Sequence, residues 1–163
     1  METTVARTPV GFQIPPLIYP TTLMESTGNP GIAMKSAPSL RNAAQPLGPY
    51  SHAVVANGLV FISGQVPLKS GSQPGDWAGK TIADQTRQCV RNIETILKEL
   101  GATLEDVVKV TVYLADPGDY RAMNEAYREF FPSEPPARSV ARLGAEPTGL
   151  LISVDAIAVQ PAH

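Results

Sequence analysis

A chain of 163 residues, 43% hydrophobic and 17% charged, with a net charge of −2, has the size and composition of one ordinary globular domain. It carries no basic footprint for DNA or RNA, and it lacks the run of roughly 18 apolar residues that would cross a bilayer. One cysteine, Cys89, excludes an intrachain disulfide and a thiolate cluster, and two histidines, His52 and His163, are too few for a multi-histidine metal site in one chain. No metal is expected, and the thiol usage suits a reducing compartment.

Half of the 16 prolines precede Tyr50, and each removes a backbone donor and fixes φ. Residues 1–36 therefore read as a Pro-rich N-terminal extension and 37–163 as the folded domain. The extension also holds Phe12, Ile14, Leu17, Ile18, Tyr19, Leu23 and Met24, so wrapping over a surface and a disordered tail both stay open. Met1 to Gly11 has only Arg7 as a base and is broken by Pro9, which is no secretory signal. A cytoplasmic location is expected, with mitochondrial import as the alternative.

Beyond the extension the elements sharpen. Ser51 to Ala56 and Leu59 to Val66 are β-prone runs flanking Asn57-Gly58, the pair that best tolerates the positive φ angles of a type I′ hairpin. Pro67 to Lys80 reads as a loop with Trp77 as a packing plug. From Ile82 to Leu100, Ile82, Thr86, Cys89, Val90, Ile93, Ile96, Leu97 and Leu100 recur at helical spacing, Thr81 with Asp84 resembles a capping box, and Gly101 stops the helix. That stripe claims Cys89 for the core. Val107 to Ala115 alternates Val108, Val110, Val112 and Leu114 against Lys109, Thr111 and Tyr113, a strand with one covered face.

Asp119 is placed to cap a second helix with the face Tyr120, Met123, Tyr127 and Phe130, ending before Pro132. Ala137 to Leu143 and Leu150 to Val159 form two further strands, joined by a turn containing Gly144, Pro147 and Gly149. The order ββαβαββ predicts an α+β fold, a mixed sheet with both helices on one face. The bare face of such a sheet needs cover, and in a small chain a homo-oligomer supplies it.

Walker, G-x-G-x-x-G, H-E-x-x-H and G-x-S-x-G patterns are all absent. What remains is a set of polar residues at element ends: Leu47-Gly48-Pro49-Tyr50-Ser51, Phe61-Ile62-Ser63-Gly64-Gln65-Val66-Pro67, Asn124 within Met123 to Tyr127, Pro135-Pro136-Ala137-Arg138-Ser139, and Ile152-Ser153-Val154-Asp155-Ala156-Ile157-Ala158. Together, in this order and over Ala37 to Pro161, they resemble the RidA/YjgF family of reactive-intermediate deaminases.

The resemblance implies a chorismate-mutase-like fold and a homotrimer with clefts between adjacent subunits. It also implies cofactor-free hydrolysis of 2-imino or 2-enamino acids to 2-oxo acids and ammonia. The family arginine falls on Arg138, whose guanidinium fork grips a carboxylate through two hydrogen bonds; an exposed ion pair is the plainer role. Tyr50 matches a cleft tyrosine that orients the imine or closes the pocket, or else a hydroxyl satisfied at a subunit contact. Ser63 matches a cleft serine, and Gly64 lets backbone approach a ligand, or the two form a strand-end bend. Asn124 matches a cleft asparagine, or ties two backbone segments together.

Departures from the family pattern matter as much. Its deaminases carry a water-positioning glutamate in the last strand, where this chain has Ser153, which takes no proton at neutral pH. Asp155, two residues on, faces the same side and matches the family's second, structural acid, the alternative being that it holds the water in the glutamate's place. Val140 replaces a cysteine and makes its part of the pocket apolar. His52 stands for a glutamine beside Tyr50 and reads as a surface or core residue before a base. The expected function is deamination of small reactive imines or enamines, with Arg138, Tyr50, Ser63 and Ser153 in the reaction and Gly64, Asn124, Arg138 and Val140 binding substrate. The alternatives are a biosynthetic enzyme that isomerises or cyclises an unstable intermediate, and a non-catalytic metabolite-binding trimer.

Overall fold

The computed structural model describes residues 35–144 and 147–161. Five strands, β1 (Ala53–Ala56), β2 (Leu59–Gln65), β3 (Val107–Leu114), β4 (Ala137–Arg142) and β5 (Ile152–Val159), and two helices, α1 (Ile82–Glu99) and α2 (Tyr120–Arg128), follow in the order ββαβαββ. The sheet order is β1-β2-β5-β3-β4. Only β3 and β4 run parallel; every other neighbouring pair is antiparallel. The expected extension falls outside the described residues apart from Lys35 and Ser36. Ser36 exchanges two backbone hydrogen bonds of 2.8 Å with Val55 at the β1 edge.

Asn57 and Gly58 take φ of 50° and 72°, the twist that joins antiparallel strands through two residues. Alternation then sends Val60 and Ile62 of β2, Val110, Val112 and Leu114 of β3, and Ile152, Val154, Ala156 and Ala158 of β5 into one core. α1 covers that face. Thr81 accepts the Asp84 N–H at 3.1 Å, while its hydroxyl donates to the Asp84 carboxylate at 2.6 Å, so only the forward half of the box forms. At the other end Gly101 N–H donates to Lys98 O and Ala102 N–H to Leu97 O with Gly101 at φ 74°, a Schellman stop. Burial raises the Cys89 thiol above its ordinary range, as befits a core side chain.

Two expectations are corrected. Val108 does not join the core: Val107 pairs with Ala158 and Lys109 with Ile157, so a bulge inserts Val108 as an extra residue and leaves it exposed while Val107 is buried. Asp119 makes no side-chain cap. The cap is Asp116, which accepts Gly118 N–H at 2.8 Å and starts a 3-10 turn that runs into α2. That turn leaves Tyr120 exposed, whereas Met123 and Tyr127 of the expected face are buried together with Ala126, and Phe130 is partly buried against the core.

Trp77 closes the long loop, donating its indole N–H to Thr148 O at 3.0 Å. Gln85 is a polar member of the buried α1 stripe. Its amide donates to Gly149 O at 2.8 Å and Gly79 O at 3.3 Å, and its oxygen accepts Leu151 N–H at 2.9 Å. Glu99, at the last turn of α1, accepts Arg41 and Asn42 N–H, both at 2.8 Å, which pins the segment leading to Tyr50 and holds the Glu99 carboxyl below its ordinary range.

The uncovered face carries Phe61 and Val159, both exposed, among half-buried Lys109, Thr111, Tyr113, Ser153, Asp155 and Ile157. Among the described residues no helix is long and apolar enough to cross a membrane.

Candidate active site

β4 is an edge strand whose register sets Arg138 beside Val110, Val140 beside Val112 and Arg142 beside Leu114. Side chains at paired positions share a face, so all three point to the helix side of the sheet. There Arg138 Nη2 donates to Asn124 Oδ1 at 2.6 Å, and Nη1 lies 3.9 Å from Met123 Sδ. Its guanidinium carbon stands 4.6 Å from the centre of the Tyr127 ring, which stacks on Phe131 at 4.7 Å, a cation–π geometry. Glu134, with a φ of 45°, turns the chain into Pro135-Pro136 just before this strand. A cavity of about 380 Å³ opens here, lined by Asn124, Tyr127, Phe131, Pro135, Pro136 and Arg138 among others.

No ion pair to Arg138 occurs among the described residues. Its partners are an amide oxygen, a thioether and an aromatic face, so a half-buried positive charge is aimed and held without being neutralised. A carboxylate entering the cavity meets a fork already fixed in direction, which cuts the ordering cost of binding. The buried Tyr127 hydroxyl has no partner among the described residues, and burial pushes its pKa up to about 12 against a smaller opposing effect of Arg138. Tyr127 keeps its proton at neutral pH and offers a donor, not a base.

The remaining candidates gather elsewhere. β2 carries one extra residue between the pairs Ile62 with Ala156 and Gln65 with Val154, so Ser63 and Gly64 sit in a bulge. Ser63 Oγ donates to Ser51 O at 2.7 Å, and its N–H donates to His52 O at 2.9 Å. A Cβ on Gly64 would stand 2.9 Å from Ser153 Oγ, so glycine here makes room for the serine of β5. Ser153 lies between buried Ile152 and Val154 and therefore faces the open side of the sheet. A second cavity, of about 430 Å³, is lined there by Phe61, Ser63, Gly64, Lys109, Thr111 and Asp155 among others.

Tyr50 reaches this group through His52, with ring centres 6.2 Å apart and planes at 88°. Its hydroxyl accepts Leu47 N–H at 3.0 Å. Neither ring nitrogen of His52 has a partner among the described residues, though both are shielded from solvent. Asp155 accepts the Tyr113 hydroxyl at 3.0 Å and raises the Tyr113 pKa through that bond, a tie within the sheet.

One chain thus brings together Arg138 with Asn124, and Ser63 with Gly64 and Ser153, but the sheet lies between the two groups. Val140 belongs to the first side. Tyr127 is the residue sequence reasoning left in the core; the signal was its place three after Asn124 and seven after Tyr120 on one helical face. Among the described residues no group of three acidic, cysteine or histidine side chains is arranged to hold a metal.

Residues 40–160 match the family model described as Endoribonuclease L-PSP. A RutC family protein of Pyrococcus horikoshii is 43% identical over 125 residues, 77% of this chain and 98% of the relative. The human 2-iminobutanoate/2-iminopropanoate deaminase is 37% identical over 122 residues, 75% of this chain and 88% of the relative. The crystal structure of E. coli TdcF with bound serine superposes with a TM-score of 0.63 at 31% identity, covering 74% of this chain and 94% of TdcF.

Proposed function

The chain belongs to the RidA/YjgF family, the group matched by the endoribonuclease L-PSP model, and from that premise we propose that it hydrolyses small 2-imino or 2-enamino acids to 2-oxo acids and ammonia. The observation that carries this reading is the un-neutralised guanidinium of Arg138, steered by Asn124 and Tyr127 into a cavity. It supplies a carboxylate anchor. Water then adds to the C=N carbon, a proton moves to nitrogen, and the C–N bond breaks to release ammonia and leave the carbonyl. Imines are already electrophilic, so orientation supplies most of the acceleration required.

Arg138 and the Ser63–Gly64–Ser153 group lie on opposite sides of one sheet. If both act on one substrate, the second group comes from a neighbouring copy. That requirement, and the bare face bearing Phe61 and Val159, support a homotrimer with shared clefts. In such a cleft Tyr50 closes one wall and Asn124 fixes the anchor. We do not carry the nuclease of the family model's description over to this chain, because a net charge of −2 gives no footprint for RNA and among the described residues the cavity at Arg138 holds no histidine.

Ser153 favours a second reading, a cleft kept for binding or for a biosynthetic step, because a serine holds water without accepting its proton. Freshly generated 2-iminopropanoate separates the two. Its loss accelerated above the buffer rate supports hydrolysis, whereas saturable 2-oxo acid binding with no rate effect supports the second reading. For a weakened deaminase, Ser153→Glu is expected to raise the hydrolysis rate by about tenfold, a fraction of the ~10²–10⁴ that a positioned base contributes. No gain in a folded variant would point to chemistry other than deamination.

A further inference from the structure

The face of α2 that carries Asn124 and Tyr127 also carries Tyr120, four residues before Asn124, and the face of β4 that carries Arg138 continues through Val140 and Arg142. Arg138 and Asn124 link helix and edge strand at the 380 Å³ cavity. A separate hollow of about 410 Å³ is lined by Leu114, Pro117, Tyr120, Val140, Ala141 and Arg142. Five of these six linings are apolar or aromatic.

Tyr120 and Val140 are among the large hydrophobic side chains most exposed in the described residues, at 47% and 40%. Each is displaced from the core by a feature already described: the Asp116-capped turn lifts Tyr120 out, and the edge position leaves Val140 uncovered. Val140 lies two residues from Arg138 along the strand, roughly 7 Å away. An acid group held at Arg138 therefore leaves the rest of a small molecule within reach of this hollow.

We infer that the hollow between Tyr120 and Val140 is a specificity subsite that takes the apolar side chain of a 2-imino acid whose carboxylate is held by Arg138, favouring leucine- or phenylalanine-sized substrates over alanine-sized ones. The inference rests on the deaminase reading for its substrate, but the hollow's preference is measurable without turnover. A hydrophobic pocket distinguishes substrates by about 10–200-fold per methylene of fit. Partial exposure places this hollow at the low end.

The experiment compares imines generated in place from alanine, leucine and phenylalanine, and in parallel titrates pyruvate and phenylpyruvate into the same full-length protein. The subsite predicts kcat/KM at least about tenfold higher for the leucine or phenylalanine imine than for the alanine imine, and a matching preference for phenylpyruvate over pyruvate. Tyr120→Ala should bring both ratios to within about threefold of unity, the alanine imine and pyruvate serving as the folded-state reference. Equal handling of small and large imines by the wild type would overturn the subsite and leave the deaminase reading standing. If no imine is hydrolysed at all, the deaminase reading fails, and the binding ratio alone upholds or overturns the subsite. Ratios unaltered in a Tyr120→Ala protein that still binds pyruvate would also overturn it.

Discussion

Arg138→Ala is expected to abolish measurable binding of a stable 2-oxo acid while the chain stays folded. Removing one partner of a desolvated, hydrogen-bonded charge pair costs about 2–5 kcal/mol, and the lower end alone is roughly a thirtyfold loss of affinity. Arg138→Lys should bind poorly as well. An ammonium keeps the charge but loses the planar fork, the Asn124 hydrogen bond of 2.6 Å in its present direction, and the stacking on Tyr127. Titration calorimetry with circular dichroism on the same samples measures both. Wild-type affinity in either folded variant would remove Arg138 as the carboxylate anchor.

The second large effect is on stability. Gln85 is 1% exposed and joins three backbone groups from two loops, Gly79 O, Gly149 O and Leu151 N–H. Gln85→Ala leaves all three without that partner and opens space in the core beneath them. An unsatisfied buried polar group costs about 1–3 kcal/mol. Some of these groups can reach water, so the expected total is about 2–4 kcal/mol, read as a lowered denaturant midpoint at unchanged slope. Gln85→Glu keeps the acceptor for Leu151 but sets a buried carboxylate against the Gly79 and Gly149 carbonyl oxygens, and at neutral pH it should cost at least as much as alanine. An alanine variant within about 0.5 kcal/mol of the wild type, the range of an ordinary surface change, would show that the loops hold themselves.

The elements were legible in the sequence where the signal is local. Asn57-Gly58 specifies its turn by the φ angles only such residues accept readily, and the α1 stripe with Gly101 fixes a helix and its stop. The bulge at Val108 was not legible, because the alternation from Val108 to Leu114 is unbroken and the extra residue shows only in the pairing with β5. The choice of Asp116 over Asp119 as a cap was equally hidden, since both precede the helix and only the turn at Pro117 decides between them. Nothing local marks Gln85 as a structural residue. Its partners lie 64 and 66 residues away at Gly149 and Leu151.

Within the site, motifs singled out Arg138, Asn124, Ser63 and Ser153, but not that Asn124 holds the arginine itself. That contact depends on β4 running parallel to β3 and meeting α2, a long-range arrangement that no local spacing encodes. The location of Tyr127 under the guanidinium was hidden for the same reason.

Arg138 and the Ser63–Gly64–Ser153 group are proposed to serve one substrate from two different subunits, and mixing tests this directly. Arg138→Ala removes the anchor, and Gly64→Val fills the space beside Ser153; each variant alone should be inactive towards 2-iminopropanoate. Co-expressed in equal amounts with different tags and purified through both, they should give assemblies that light scattering reports as trimers. With random assortment, about a quarter of all clefts in the unselected pool combine an intact Arg138 with an intact Gly64 from the neighbour. Tag selection raises that share to about a third, so imine hydrolysis is expected at about a quarter to a third of the wild-type rate per subunit. Mixed trimers as inactive as either parent would contradict the shared cleft.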